Sequence, residues 1–198
     1  MNANLDKWID FLDPENLKGN LMASSLFIAT YESFTDYAID EVKFFYNTGF
    51  DESGYTFNPK YEKDVLSKDK KVINASLLWL KENEAISAED IEKFNEIRRY
   101  RNKLTHELMN ILFEKVPADL PKLFLDLFIL RVKIEKWWIL NIEIPTEPDS
   151  EKYQNITEDD IITSSQMLYR IIMDMLSDDE KTANFYKNEF LKYRIHKN

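Results

Sequence analysis

Ser87-Ala-Glu-Asp-Ile-Glu-Lys-Phe-Asn-Glu-Ile-Arg-Arg-Tyr-Arg-Asn-Lys-Leu-Thr-His-Glu-Leu-Met-Asn-Ile-Leu-Phe-Glu-Lys115 is the stretch on which the fold turns. Phe94, Ile97, Leu104, Leu108 and Ile111 follow helical spacing and form one apolar stripe. Ser87 and Asp90 are placed as a capping box, with acids where the positive end of the helix favours them. The pattern predicts one helix from Ser87 to about residue 115, where Pro117 and Pro121 interrupt it. Arg101 falls in the stripe between Ile97 and Leu104. A guanidinium stays charged, so this position requires an acid from a neighbouring element. A long amphipathic pattern over residues 20–46 offers Glu32 and Asp36, with Glu32 the first choice.

Outward from this helix the same periodicity recurs. Asn4 to Leu12 reads as a short amphipathic helix closed by Pro14 and Gly19. Residues 47–60 hold two glycines and Pro59 and read as a loop. Lys68 to Asn83 and Leu120 to Ile142 read as helices, the latter heavily apolar, and residues 143–156 as an acidic linker. Thr157-Glu-Asp-Asp160 caps a helix to about Leu176, and Ser177-Asp-Asp-Glu180 a last one to about Tyr193. The expected fold is all-α, an up-and-down bundle of about five long helices with short ones added. A single domain is expected over 1–198, with its core at about 20–141 and a C-terminal helical hairpin at about 157–194.

Composition agrees. Three glycines and six prolines among 198 residues are few for a sheet protein, and 44% hydrophobic residues suffice for a core. The absence of cysteine excludes disulfide frameworks and thiolate metal sites, and two histidines, His106 and His196, make a histidine-rich metal centre unexpected. No metal or other cofactor is therefore expected. Leu120 to Leu140 carries six charges, too many for a membrane span, and Met1 to Lys7 holds no apolar signal segment. A cytoplasmic protein without membrane contact is expected. The formal net charge of −10 disfavours bulk attraction to polyanions. RNA binding then needs a local basic patch. Arg98, Arg99, Arg101 and Lys103 supply the densest one.

A second face of the helix carries Asn95, Arg99, Asn102, His106 and Asn110. Asn102 and His106 are four apart and hence neighbours. Arg101 and His106 are five apart, about 140° around the helix, so a second copy packed alongside would help them converge. The residue types suit metal-free RNA cleavage by the 2′-hydroxyl. Histidine, with a reference pKa of about 6.5, transfers protons. Arginine stabilises the phosphate. Asparagine orients through neutral hydrogen bonds.

Arg101-Asn102-Lys103-Leu104-Thr105-His106 resembles the Arg-Asn-x-x-x-His motif of HEPN domains, as found in CRISPR-associated RNA-targeting nucleases and in toxin and phage-defence ribonucleases. The resemblance implies an all-helical bundle, commonly a homodimer whose two motifs face one cleft. It implies metal-independent endoribonuclease activity that leaves a cyclic phosphate. Carried over, Arg101, Asn102 and His106 are the catalytic residues; beside the resemblance, the basic cluster Arg98, Arg99 and Lys103 is read as holding the RNA backbone, and Glu32 and Asp36 as supporting acids. It further implies a prokaryotic toxin or antiviral effector with an antitoxin or defence-system partner. HEPN toxins silenced by nucleotidylyltransferases carry a tyrosine two residues after the histidine. Leu108 stands here, so that regulation is not expected.

Blander readings stand beside these. His106 can be an ordinary surface histidine, Arg101 a structural ion pair, and Arg98, Arg99 and Lys103 a solvated face. Glu32 and Asp36 can be solvent-facing acids. His196 belongs to a basic tail and is read as incidental. Trp137-Trp138 and Phe44-Phe45-Tyr46 are read as core or dimer surface, since consecutive helical aromatics cannot share one core. A non-catalytic HEPN-like module for RNA binding or protein interaction, in a sensor or antitoxin-like subunit, is the alternative function. A plain helical assembly protein is the third.

Overall fold

A computed structural model of the chain describes residues 3–52, 54–114 and 119–195. Across them the protein is mostly helical, with one short two-stranded hairpin. The break expected at Pro117 and the tail residue His196 lie outside the described residues.

Helix α1 spans Ala3–Leu12 and α2 spans Pro14–Phe44, 31 residues. Helix α1 ends at Leu12, as expected ahead of Pro14, whereas Gly19 does not act as a breaker. Pro14 opens α2, where its missing amide is not needed. Asp13 caps this start by accepting the amides of Glu15 at 2.9 Å and Asn16 at 3.3 Å. Gly19 sits on an open part of the helix surface. Its propensity cost of about 1 kcal/mol is outweighed by the packing of a long helix. Phe27, Tyr31, Phe34, Ala38 and Val42 are the buried face of α2, at steps of three or four.

The expected loop after α2 is instead an antiparallel hairpin, β1 (Asn47–Asp51) with β2 (Gly54–Phe57). Phe50 pairs with Tyr55 and Asp51 with Gly54. Gly49 and Gly54, with φ of 153° and 112°, supply backbone shapes that other residues resist at the bulge and the turn. The preceding aromatics divide: Phe44 lies against Tyr55 and Phe57, while Tyr46 accepts the Trp79 indole N–H at 3.0 Å.

Helix α3 (Lys60–Asp64) and a 3₁₀ turn, Leu66–Lys68, lead to α4 (Val72–Glu82). The helix expected from Lys68 thus starts later, because Asp69 turns the chain by accepting the amide of Lys71 at 2.8 Å. At its other end Ala85 donates to the Leu80 carbonyl and Glu84 to that of Lys81. This Schellman closure places Glu84 at φ 62°, where glycine is usual.

Helix α5 runs Ala88–Glu114 and α6 runs Leu120–Trp138. The expected capping box forms: Ser87 N–H donates to Asp90 at 2.8 Å, and the Asp90 amide donates to the Ser87 hydroxyl at 3.2 Å.

The chain divides within α6 into two units, Met1–Ile134 and Glu135–Asn198. In the first, α2 packs on α4 and α5, and α1 on α2 and α5. Phe94 of α5 is fully buried between Tyr31 and Phe34, with ring centroids 5.6 and 5.3 Å away. Leu123, Leu127, Leu130 and Ile134 are the buried face of α6. Arg131 of α6 ties to α2, donating to the Ser33 carbonyl at 3.0 Å and lying 3.5 Å over the Tyr37 ring.

In the second unit α6 passes into a π-helical segment, Ile139–Glu143, and α7 (Ile144–Thr146). The Thr157–Asp160 box forms but caps only a 3₁₀ turn, Glu158–Asp160. The helix expected from it starts later: Thr163 and Gln166 form a second box that opens α8 (Ser164–Met175). Asp179 then caps α9 (Glu180–Ala183), and α10 spans Phe185–Ile195.

Candidate functional site

Helix α5 sorts the motif residues by face. Phe94, Ile97, Leu104 and Ile111 point inward and are buried. Arg101 lies on that stripe and meets Glu32 of α2. Its Nε donates to Glu32 Oε1 at 2.7 Å, and Nη2 is ion-paired with the same oxygen. The guanidinium also lies 5.3 Å over the Tyr31 ring. Burial pushes the Tyr31 hydroxyl up, against the opposing charges of Arg98 and Arg101. The remaining edge of Arg101, Nη1, donates to Asn102 Oδ1 at 3.2 Å. Asp36 stays exposed and makes no hydrogen bond or ion pair among the described residues.

The basic cluster is divided rather than presented as one patch. Arg98 turns away from Arg99 and Lys103. Its Nη1 donates to Asn74 of α4 and its Nη2 to Asn95, both at 2.7 Å. Arg98 is therefore a clasp between α5 and α4, which leaves it poorly placed to hold RNA. Neither asparagine is singled out by the sequence as its holder. Arg99 and Lys103 are exposed and, among the described residues, uncommitted.

His106 is exposed on the same outer face as Asn102, Arg99 and Lys103, with no hydrogen-bond partner among the described residues. It sits at the last regular position before a break: Glu107 has φ −123° and ψ 20°. Thr105 contributes by donating its hydroxyl to the Arg101 carbonyl at 2.9 Å, a contact that bends helices. The structure does not bring Arg101 and His106 together directly. Asn102 accepts from the guanidinium and stands one turn before the imidazole on the outer face.

Between α5 and the start of α6 lies a shallow depression of about 330 Å³, lined by Glu96, Arg99, Tyr100, Lys103, Asp119 and Leu123. Sequence reasoning named Arg99 and Lys103 here and missed the other four. Burial pushes the Tyr100 hydroxyl up, and the Asp119 carboxylate adds to the effect.

Among the described residues no group of three His, Asp or Glu side chains gathers as a metal ion would require. None of the described helices is long and apolar enough to cross a membrane. No protein-family model, curated protein or solved structure matches this chain, so its likeness to HEPN domains rests on the six residues Arg101 to His106.

Proposed function

We propose that the protein is a metal-independent endoribonuclease of HEPN type, a prokaryotic toxin or anti-phage effector. The observation that carries this is the outer face of α5. An unpartnered imidazole stands there with two uncommitted cations within two turns. His106 takes the proton of a ribose 2′-hydroxyl as the 2′-oxygen attacks the adjacent phosphorus. The P–O5′ bond breaks, the 5′-oxygen receives a proton, and a 2′,3′-cyclic phosphate remains. Arg99 and Lys103 hold the backbone. Arg101 stabilises the phosphate through its Nη1 edge, the one not turned to Glu32, and Asn102 orients both. A homodimer with two α5 faces across one cleft supplies a second set of cations.

The test is cleavage of labelled RNA in the presence of a chelator by wild type and by His106→Ala. Cyclic-phosphate products from wild type alone are expected. Cleavage retained by a clean His106→Ala preparation overturns the assignment. Expression in a host should arrest growth with wild type and spare it with His106→Ala.

One second reading has specific support. The Arg101–Glu32 pair and the net charge of −10 suit a non-catalytic module that binds a partner protein. Equal growth with abundant soluble wild type would favour it.

A further inference from the structure

We infer that the depression beside the motif seats one ribonucleotide and selects for a base bearing an exocyclic amino group. This rests on the ribonuclease proposal for its substrate class, and adds a specificity pocket to the same face of α5.

The lining is chemically two-ended. Arg99 and Lys103, one turn apart on α5, supply positive charge for a phosphate. Glu96 and Asp119 supply carboxylate acceptors, and neither is paired with a cation among the described residues. Tyr100 and Leu123 supply flat and apolar wall. A seat for phosphate alone would not carry two carboxylates, which repel it. A slot for an apolar side chain would not need four charges. A nucleotide has all three parts: an anionic end, an aromatic ring, and on three of the four bases an amino group that donates to carboxylates. At about 330 Å³ the depression lies at the small end of ligand sites, near 300–1,000 Å³.

The Tyr100 ring meets Phe27 edge-on at 5.5 Å, which fixes it as a wall. The depression also lies on the His106 side of α5: Arg99 and Lys103 precede the imidazole by seven and three residues, two turns and one. A nucleotide seated there places its neighbour along the strand toward His106, so the pocket reads the base next to the scissile bond.

The experiment titrates the full chain with adenosine, cytidine, guanosine and uridine 3′-monophosphates and with inorganic phosphate. Calorimetry gives affinities, and backbone amide spectra give the location. The three amino-bearing nucleotides should bind roughly tenfold or more tighter than the uridine nucleotide, with shifts at residues 96–103 and 119–123. Glu96→Ala/Asp119→Ala should erase that difference. Arg99→Ala/Lys103→Ala should weaken all four alike. The single variant Glu96→Ala, a helix-surface change, keeps the test open if a double variant does not fold. Uridine binding as tightly as the rest, binding no better than inorganic phosphate, or shifts centred elsewhere each overturn the seat. RNA cut by wild type with a base preference that ignores Glu96→Ala/Asp119→Ala also overturns the seat and leaves the ribonuclease proposal standing. Base-selective nucleotide binding without RNA cleavage sustains the seat and removes the ribonuclease proposal.

Discussion

Removing the Arg101–Glu32 contact tests how α5 is anchored to α2. Two nitrogens of one guanidinium converge on one carboxylate oxygen. Hydrogen bonds to charged groups contribute about 1.5–3 kcal/mol in favourable settings. Here the side chains are 27% and 44% exposed, so solvent screens the pair and exposed-pair values of about 0.2–1 kcal/mol apply more closely. We expect a coupling of about 1 kcal/mol from a double-mutant cycle of Arg101→Ala, Glu32→Ala and both together. Glu32→Ala should be the more damaging single change. It leaves a cation on an apolar stripe against Tyr31, whereas Arg101→Ala leaves a carboxylate that solvent reaches. Urea unfolding followed by far-UV circular dichroism measures all four proteins. For a chain of this length about 1 kcal/mol corresponds to a Tm change near 2–4 °C. Additivity within about 0.3 kcal/mol would refute the anchoring argument, because independent sites add within that range.

Glu84→Gly should raise stability by about 0.5–1 kcal/mol, read as a higher Tm, because Glu84 occupies a left-handed position at φ 62° that glycine adopts without strain. Phe94→Ala should cost about 3–5 kcal/mol by the same unfolding assay, since the ring is fully buried between Tyr31 and Phe34. Asp90→Asn should destabilise at neutral pH and converge with wild type in acid. Burial alone would raise the Asp90 carboxyl, but Lys133 and the Ser87 amide and hydroxyl outweigh it and hold it below the ordinary value of 3.8. A depressed folded-state pKa gives stability that is present above the ordinary value and lost as pH falls through the lowered one. Parallel stability curves for the two proteins down to pH 2 would contradict this.

The core of the fold was legible because its signal is periodic. Phe94, Ile97, Leu104 and Ile111 are spaced for one helix face, and that spacing alone places Arg101 on the stripe and calls for an acid such as Glu32. What stayed hidden was decided by contacts between elements or by competition between equal local signals. Thr157–Asp160 and Thr163–Gln166 are both capping boxes, and only the second opens a long helix. Pro14 reads as the stop that closes α1, and its second role as the start of α2 shows only once Asp13 is recognised as a cap. The hairpin strands run five and four residues without alternating burial, so no strand pattern stands against their glycines. Arg98, Arg99 and Lys103 look alike in sequence. Asn74, brought in by α4 from 24 residues away, withdraws Arg98 from the group.

The division of α5 into two faces also bears on how a reactive group can sit on a stable helix. The inner face is held by the Phe94 packing, the Arg98 clasp and the Arg101–Glu32 pair, and each of these lies before the break at Glu107. After the break, Ile111 and Leu112 are buried and Phe113 meets Trp8 and Phe11 of α1 at 4.8 and 5.7 Å. His106 lies at the junction of these two anchored halves and belongs to neither set of contacts. Exposed, it can change its partner without disturbing a buried group, because the residues that fix the backbone on either side do so through other side chains. The bend at Glu107 therefore separates the constraint that fixes the imidazole's position from the contacts the imidazole itself makes.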